Sequence, residues 1–278
     1  MEVAILLTTW NSSRFLTELL DSIMAQTYQD WQLFVRDDGS TDETLTLLHD
    51  YKENRAREKM IIMPSEGNLG PKDGFMWLLE HAEADLYMFC DHDDVWLPTK
   101  IEDCVQLMME QPDNDITPLL VCCNLKLVDS NLNVLADDYW TARYYRRSDF
   151  TNKWFHLFYN NIPGCVMLIN QKAKETVLPY PPEIVMHDAW VVAALLWREG
   201  KVLWTERPGI LYRQHGGNTI GAGKMPSIFS QLLNIRKLMQ KTRQQHRVAR
   251  ELTRMSSFSF IVMKVYYMLA IHIRRFFT

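Results

Sequence analysis

The chain has 278 residues, of which 47% are hydrophobic and 23% are charged. This balance predicts a folded globular protein with one large domain or two small ones, and it excludes intrinsic disorder, collagen-like repeats and coiled-coil rods. The five cysteines form no Cys-x-x-Cys pair, so neither a zinc ribbon nor a disulfide framework is expected. Such cysteines are typical of buried side chains in a reducing compartment.

The formal net charge of −4 is unevenly distributed along the chain. Residues 224–278 contain eleven lysines and arginines and one acid, which gives +10, and the rest of the chain carries −14. An acidic body is a poor surface for nucleic acid, whereas a basic tail suits an anionic lipid surface. We therefore expect a body over 1–222 and a basic amphipathic helical tail over 223–278, with no nucleic-acid partner.

The first residues carry no recognisable targeting signal. Met1-Glu2 is followed by a short apolar run that has no basic segment before it and no small-residue cleavage site after it. This start argues against a signal peptide. The expected location is the cytoplasm, and peripheral contact of the tail with the inner face of the plasma membrane is left open.

Short apolar runs alternate with amphipathic segments in the first third of the chain. Strands are predicted at 3–9, 31–36, 59–63 and 86–90, and helices at 15–24, 42–51 and 72–82. The sequence Ser40-Thr41-Asp42-Glu43 is expected to start the second helix as a capping box. This β-α-β-α-β-α-β order is typical of an α/β fold with a mainly parallel sheet and helices on both faces.

The second half is less regular. It predicts strands at 119–128, 202–205 and 209–212, a turn followed by a strand within 162–170, and a helix at 187–199. The apolar segment 258–273 is at the short limit for a membrane-spanning helix and carries Lys264 near its middle. An interfacial amphipathic helix is therefore favoured, and a helix pair packed on the body is the alternative.

Acidic clusters follow two of the predicted strands, where ligands bind in a parallel sheet. Asp91, Asp93 and Asp94 come directly after the fourth strand, and Asp37 and Asp38 come after the second. Carboxylates this close suit Mg²⁺ or Mn²⁺. The structural alternatives are a solvated turn before a helix for the first cluster and a tight turn through the following glycine for the second.

Several motifs in order carry a resemblance to a known family. They are Thr8-Thr9-Trp10-Asn11, Asp37-Asp38-Gly39-Ser40-Thr41-Asp42, Asn68-Leu69-Gly70, Asp91-His92-Asp93-Asp94-Val95-Trp96-Leu97-Pro98, Gly164-Cys165, His187-Asp188-Ala189-Trp190 and Tyr212-Arg213-Gln214-His215. Together they resemble the family-2 glycosyltransferases, which have the GT-A fold, over roughly residues 1–220. The residues of these motifs are most similar to those of bacterial rhamnosyltransferase-type members.

The resemblance implies roles for individual residues. The implied nucleotide-binding residues are Thr9, Asn11, Asp37, Asp38, Asn68 and Asp91. Asp93 and His215 are implied ligands of Mg²⁺ or Mn²⁺, and Asp91 contacts either the ribose or a water on the cation. It also implies a nucleotide-binding half over about 1–115 and an acceptor half over about 116–222.

On the acceptor side the resemblance implies Asp188 as the catalytic base, with Gly164 and Trp190 near the acceptor. Three alternatives stay open: Asp188 as a helix N-terminal acid, His215 as a backbone-bonded side chain, and Trp190 as a core residue. Members of the family commonly have Glu-Asp at the position where this chain has His187-Asp188. The role of His187 is therefore unassigned.

The implied activity is an inverting, metal-dependent glycosyl transfer in bacterial surface polysaccharide synthesis. The donor would be a UDP- or dTDP-sugar, with dTDP-rhamnose as one candidate, and the acceptor a hydroxyl of a glycan or a lipid-linked molecule. Such a reaction needs one carboxylate as base and a cation on the leaving diphosphate. The alternatives are a haloacid-dehalogenase-like phosphatase, because Asp91-x-Asp93-x-Val95 is close to its nucleophile motif, and a non-catalytic sugar-nucleotide-binding module.

Overall fold

A computed structural model describes residues 1–215 and 235–274 of the chain, without the side chains of 235–238. The strands in these ranges are β1 (Val3–Thr9), β2 (Trp31–Asp37), β3 (Met60–Ile62), β4 (Leu86–Cys90), β5 (Val95–Trp96), β6 (Leu119–Val128), β7 (Val134–Ala136), β8 (Met167–Asn170) and β9 (Lys201–Arg213). They form one sheet in the order β3-β2-β1-β4-β8-β6-β9-β5, and β7 pairs with β6 outside this path.

Helices flank the sheet and form the C-terminal part of the described chain. They are α1 (Ser13–Met24), α2 (Thr44–Arg55), α3 (Gly70–His81), α4 (Lys100–Met109), α5 (Tyr139–Ala142), α6 (Arg147–Phe150), α7 (Lys153–His156), α8 (Gln171–Val177), α9 (His187–Trp197), α10 (Ile235–Leu252) and α11 (Ser257–Arg274). A short 3-10 turn, Gly164–Val166, leads into β8.

The first four strands by sheet order are parallel, as predicted. β1 lies between β2 and β4, and β3 pairs with β2 on the far side. Every residue of β1 is buried, because helices cover both faces of this part of the sheet and an apolar run is needed there. In this register Thr9 lies opposite Asp37, so the carboxyl ends of β1 and β2 meet at one edge.

The remaining strands make the sheet mixed. β8 runs antiparallel to both β4 and β6, and β5 runs antiparallel to β9, whereas β6 and β9 are parallel. The two short strands predicted at 202–205 and 209–212 are wrong as separate elements. They form one strand, because β9 continues past Pro208 with register shifts around Asn124 of β6, a β-bulge that accommodates the missing N–H of the proline.

The predicted capping box is also wrong. α2 begins at Thr44 and its cap makes no side-chain hydrogen bond. The hydroxyl of Ser40 donates instead to Asp37 Oδ2 at 2.6 Å, while Asp42 Oδ1 accepts from Thr44 N at 3.1 Å and from Thr44 Oγ1 at 2.6 Å. The loop side chains are therefore used to fix the turn after β2.

α10 and α11 pack against the body through a second, smaller core of Leu157, Phe158, Ala249 and Phe260. Gln245 Nε2 donates to the carbonyl of Phe158 at 3.3 Å. This packing corresponds to the alternative predicted for the tail. The predicted boundary between residues 222 and 223 lies outside the described residues.

A search of the described helices for membrane spans gives no single helix that is long and apolar enough to cross a bilayer. The segments Met239–Leu252 and Ser257–Arg274 meet the length and composition criteria only as a pair, across a bend of 110°.

Candidate active site

The edge where β1 and β2 end is organised by Asp37. Its Oδ2 accepts hydrogen bonds from Thr9 Oγ1 at 2.9 Å and from Ser40 Oγ at 2.6 Å, and its Oδ1 accepts from the backbone N–H groups of Gly39 and Ser40. A carboxylate offers about four acceptor positions, so these four bonds occupy Asp37. The residue therefore positions Thr9 and the turn.

Asp38 is buried beside it and joins two loops. Its carboxylate forms an ion pair with the buried Arg36 and accepts from the N–H groups of Leu69 at 3.2 Å and Gly70 at 2.6 Å. Asn68 Oδ1 accepts from the same Gly70 N–H at 2.9 Å. The predicted nucleotide-binding residues Asp38 and Asn68 thus meet in the loop before α3.

Asn11 connects the loops after β1 and β2. Its backbone has φ of +49°, a left-handed conformation that asparagine tolerates better than most residues. Its N–H donates to Ser40 Oγ at 2.8 Å, and its Oδ1 accepts from Thr41 N at 2.8 Å. Asn11 is exposed next to this edge, so the structure brings the predicted donor-side residues together.

The acidic loop after β4 meets the end of β9. His215 Nε2 and Asp93 Oδ2 lie 2.9 Å apart, so the two predicted metal ligands are neighbours. Arg213, which is 1% exposed, donates from Nε to the carbonyl of Asp93 at 2.9 Å and from Nη2 to Glu18 at 2.6 Å. Its backbone N–H also donates to Asp94 Oδ1 at 3.3 Å.

The organising role of Arg213 was missed from the sequence, although the residue stands in the Tyr-Arg-Gln-His motif. A second missed residue is Lys100, whose buried ammonium donates to the carbonyl of Cys165 at 2.9 Å and lies 3.0 Å from the ring centroid of Trp96. Burial and the charges of Asp93 and Asp188 raise the pKa of Asp91, and the positive charge of Lys100 offsets part of this rise. A lysine at the start of a helix gives no sequence signal for this placement.

Asp91, Asp94 and Cys165 offer ligand atoms within 4.8 Å of one another. Burial raises the pKa of both Asp94 and Cys165 well above the ordinary values, and neighbouring carboxylates add to the effect. Because metals bind the ionised forms of these groups, this trio is a poorer cation site than Asp93 with His215. The accessible carboxylate of the trio is Asp91, which is half-buried.

Asp188 lies in the first turn of α9 and is 8% exposed. Burial raises the pKa of Asp188 to about 6. Hydrogen bonds from the backbone of Ala189 and Gly164 and from the side chain of Asn160 act in the opposite direction and lower it. Burial also raises the pKa of Asp91, and the carboxylates of Asp93 and Asp188 raise it further. The three acids are therefore close enough for each charge to be felt at Asp91.

The structure explains why glycine stands at position 164. A Cβ there would lie 2.4 Å from His187 Nε2, and the imidazole cannot retreat easily because Phe75 and Phe89 pack on it with centroids at 4.3 and 5.0 Å. Within residues 1–215 and 235–274, neither ring nitrogen of His187 has a hydrogen-bond partner. Burial lowers its pKa to about 3, so the imidazole is neutral.

The predicted acceptor-side role of Trp190 is corrected by its position. The indole is 2% exposed, and its Nε1 donates to the carbonyl of Val177 at 2.9 Å. A side chain that is buried and hydrogen-bonded in this way is part of the core. Gly164, by contrast, donates a backbone hydrogen bond to Asp188.

Comparison with protein families gives a match to the model described as "Glycosyl transferase family 2" over residues 4–177. This range covers well over half of the chain and includes the loops after β1, β2 and β4. It ends before Asp188 and His215, so the placement of these two residues depends on the geometry above.

Two curated relatives illustrate the similarity. An uncharacterized glycosyltransferase of Rickettsia prowazekii is 28% identical over 167 residues, which are 60% of this chain and 49% of that protein. A dTDP-rhamnosyl transferase of Shigella flexneri is 24% identical over 228 residues, covering 77% of this chain and 73% of the relative. The alignment with the Rickettsia protein thus spans about half of that relative's length.

Among solved structures, the chain is similar to a mannosyltransferase from Pyrobaculum calidifontis in complex with GDP-Man and Mn²⁺. The TM-score is 0.62 at 15% identity, and the match covers 98% of this chain and 71% of that one. At this identity the likeness concerns the fold. It confirms the predicted GT-A fold with its C-terminal helical region.

Proposed function

The chain belongs to glycosyl transferase family 2, and we propose that it moves a sugar from a nucleotide-diphosphate donor to a hydroxyl of a glycan or lipid-linked acceptor. The observation that supports this most is the proximity of Asp91, Asp93 and Asp188. The charge of Asp93, in the same β4 loop, and the charge of Asp188, in α9, both raise the pKa of Asp91. This group provides a donor side and an acceptor side within one site.

For the donor we propose a UDP- or dTDP-sugar, with dTDP-rhamnose as the first candidate because a dTDP-rhamnosyl transferase is among the relatives. Thr9, Asn11, Asp38 and Asn68 border the place for base and ribose. Asp37 positions Thr9 through the 2.9 Å hydrogen bond. Asp91 would face the ribose or a water on the cation.

We propose Mg²⁺ or Mn²⁺ as the cofactor. A carboxylate oxygen and an imidazole nitrogen 2.9 Å apart, Asp93 Oδ2 and His215 Nε2, form a donor set that suits Mn²⁺, and carboxylate oxygens also suit Mg²⁺. Asp93 and His215 would hold the cation. When bound, such a cation stabilises the charge of the departing diphosphate.

For the chemical step we propose Asp188 as the general base. Its carboxylate is fixed by a hydrogen bond of 2.7 Å from the N–H of Ala189 to Oδ1. A pKa of about 6 lets it accept a proton from the attacking hydroxyl at neutral pH. Because a single carboxylate serves as base and no covalent sugar intermediate is needed, we propose transfer with inversion.

We further propose a catalytic body over 1–222, with its nucleotide-binding half at about 1–115 and its acceptor half at about 116–222, and a separate tail over 223–278. The reaction would belong to bacterial surface polysaccharide synthesis and take place in the cytoplasm, with the tail against the inner face of the plasma membrane. The phosphatase alternative is dropped, because the family match covers the acidic β4 loop on which that alternative depended.

The proposal is tested by a thermal-shift screen of nucleotide-sugars with Mn²⁺, followed by mass spectrometry of products formed with simple glycan acceptors. A donor at concentrations far above its Kd raises the melting temperature by several degrees. We expect one donor to raise the melting temperature when Mn²⁺ is present. We expect no such increase in EDTA, and none for the variant Asp93→Ala. Stabilisation by no nucleotide-sugar would contradict the assignment, and donor binding without any transfer would favour the non-catalytic module.

A further inference from the structure

α11 exposes an unusually apolar surface. We define its outer face by the residues Phe258, Ile261, Val262, Val265, Tyr266, Leu269 and Ile273, whose side chains are between 42% and 79% exposed. Their spacing places them along one side of the helix. Among the side chains that the structure describes, no other helix exposes more than one large apolar residue. A patch of this kind normally marks a binding surface.

The polar groups of α11 point the other way. Lys264 Nζ donates to Thr242 Oγ1 and to Gln245 Oε1, both at 2.7 Å, on α10. Arg274 forms a two-pronged ion pair with the buried Asp149 on α6, at 2.5 and 3.1 Å. A helix packed on a water-soluble body usually turns its apolar side inward. In α11 both charged side chains are used internally, and the outer face is left without charge.

α10, which α11 contacts through Lys264, supplies positive charge in this part of the molecule. Its exposed side chains include Lys241, Arg243, Arg247 and Arg250. Glu251 is the single acid of the two helices. An uncharged apolar face beside a basic helix is complementary to an anionic lipid bilayer, which offers hydrocarbon for the first and headgroup charge for the second.

We propose that the outer face of α11 inserts into the interface of an anionic membrane, with α11 lying along the surface and the bases of α10 among the headgroups. This gives the membrane contact a defined surface that does not use the catalytic residues. A second copy of the chain is a less suitable occupant, because it would bring another basic α10 towards the first. Anionic headgroups neutralise those bases.

The first test is sedimentation of the full chain with vesicles of phosphatidylglycerol and phosphatidylcholine. The variant Phe258→Ser/Ile261→Ser/Leu269→Ser removes three apolar side chains from the outer face. Each contributes strongly to burial in lipid, so we expect vesicle partitioning to fall ~10²-fold or more. The matched control Ile116→Ser/Val134→Ser/Leu135→Ser changes three equally exposed apolar residues elsewhere and should bind as the unchanged protein does.

A second test does not depend on whether the triple variant folds. All five native cysteines are buried, so Ile261→Cys can be labelled alone with an environment-sensitive fluorophore. Emission should shift to the blue on anionic vesicles, whereas the same label in Ile116→Cys should not respond. An unchanged spectrum at position 261 would overturn the proposal.

The charge contribution is tested separately. Arg243→Gln/Arg247→Gln/Arg250→Gln should lower partitioning onto anionic vesicles by about fivefold for each base removed, with little change on pure phosphatidylcholine. Asp188→Asn should bind vesicles normally, so failure of the transfer reaction and failure of membrane binding are distinguishable. Equal sedimentation of the outer-face variant and the unchanged protein, or a dimer in solution that this variant converts to monomer without any vesicle binding, would contradict the inference.

Discussion

Two groups of acids lie at the same edge of the sheet and differ in how the protein uses them. After β2, Asp37 accepts four hydrogen bonds from its own surroundings, and Asp38 is paired with Arg36 and two backbone N–H groups. After β4 and in α9, burial raises the pKa values of Asp91 and Asp188, and the charges of Asp93 and Asp188 raise that of Asp91 further.

The two groups of acids therefore differ in role: the first stabilises loops, and the second is suited to the chemical step. An acid whose lone pairs are all used by the protein stabilises a loop in one shape, which a nucleotide can then recognise. An acid that is desolvated and close to like charges binds a proton or a cation more readily. We therefore expect substitutions in the first group to change mainly stability and substitutions in the second to change mainly catalysis.

The largest effect on stability is expected for Asp38→Ala. The change leaves the guanidinium of Arg36, whose side chain is 3% exposed, without its carboxylate, and an uncompensated buried charge costs about 3–5 kcal/mol. Urea denaturation measures the free energy of unfolding. The control is Glu53→Ala, which breaks an exposed pair with Arg57 and should change stability little. Equal stability of the two variants would show that Asp38 does not fix the loop before α3.

A smaller loss is expected for Gly164→Ala. The added Cβ meets His187 Nε2 at 2.4 Å, and overpacking of this kind costs about 1–3 kcal/mol. Turnover should fall as well, because Gly164 donates to Asp188, the proposed base, and a shifted backbone misplaces that hydrogen bond. Thermal unfolding and kcat are the measurements.

The double variant Gly164→Ala/His187→Ala identifies the cause. Removing the imidazole opens the space that the Cβ needs, so the effect of Gly164→Ala should be smaller in the His187→Ala background than in the unchanged protein. If the two changes are simply additive, the contact with His187 is not what requires glycine.

The smallest effect in this series is expected when only the pH is changed and kcat is measured. Asp188 is a base only when ionised, and its pKa is about 6, so kcat should be level above this value and fall about tenfold for each unit of pH below it. The profile is measured at saturating donor and Mn²⁺. A rate that stays constant well below pH 6 would mean that Asp188 is not the titrating base.

The sequence predicted the strands that border the proposed donor side well because their signals are local. β1, β4 and β6 have the predicted bounds, since each is an apolar run that ends at polar or acidic residues. The loops after β1, β2 and β4 follow directly from those ends. The family motifs place Asp93 and His215 as neighbours although 122 positions separate them.

Other features depend on contacts that no local pattern encodes. Arg213 and Lys100 act near the acids only because β9 and α4 are brought against the β4 loop. Two separate strands were predicted on either side of Pro208, but β9 continues through it by means of a bulge. Trp190 lies two residues after Asp188, the proposed base, yet nearby helical residues point in different directions. Its indole is in the core.

The central claim is that Asp188 acts in the chemical step and the donor is held elsewhere in the site. It is tested most directly by measuring donor Kd and kcat side by side for the unchanged protein and Asp188→Asn, which keeps the size of the side chain. We predict an unchanged donor Kd and a kcat that is ~10²–10⁴-fold lower. Near-normal turnover by Asp188→Asn would contradict the account.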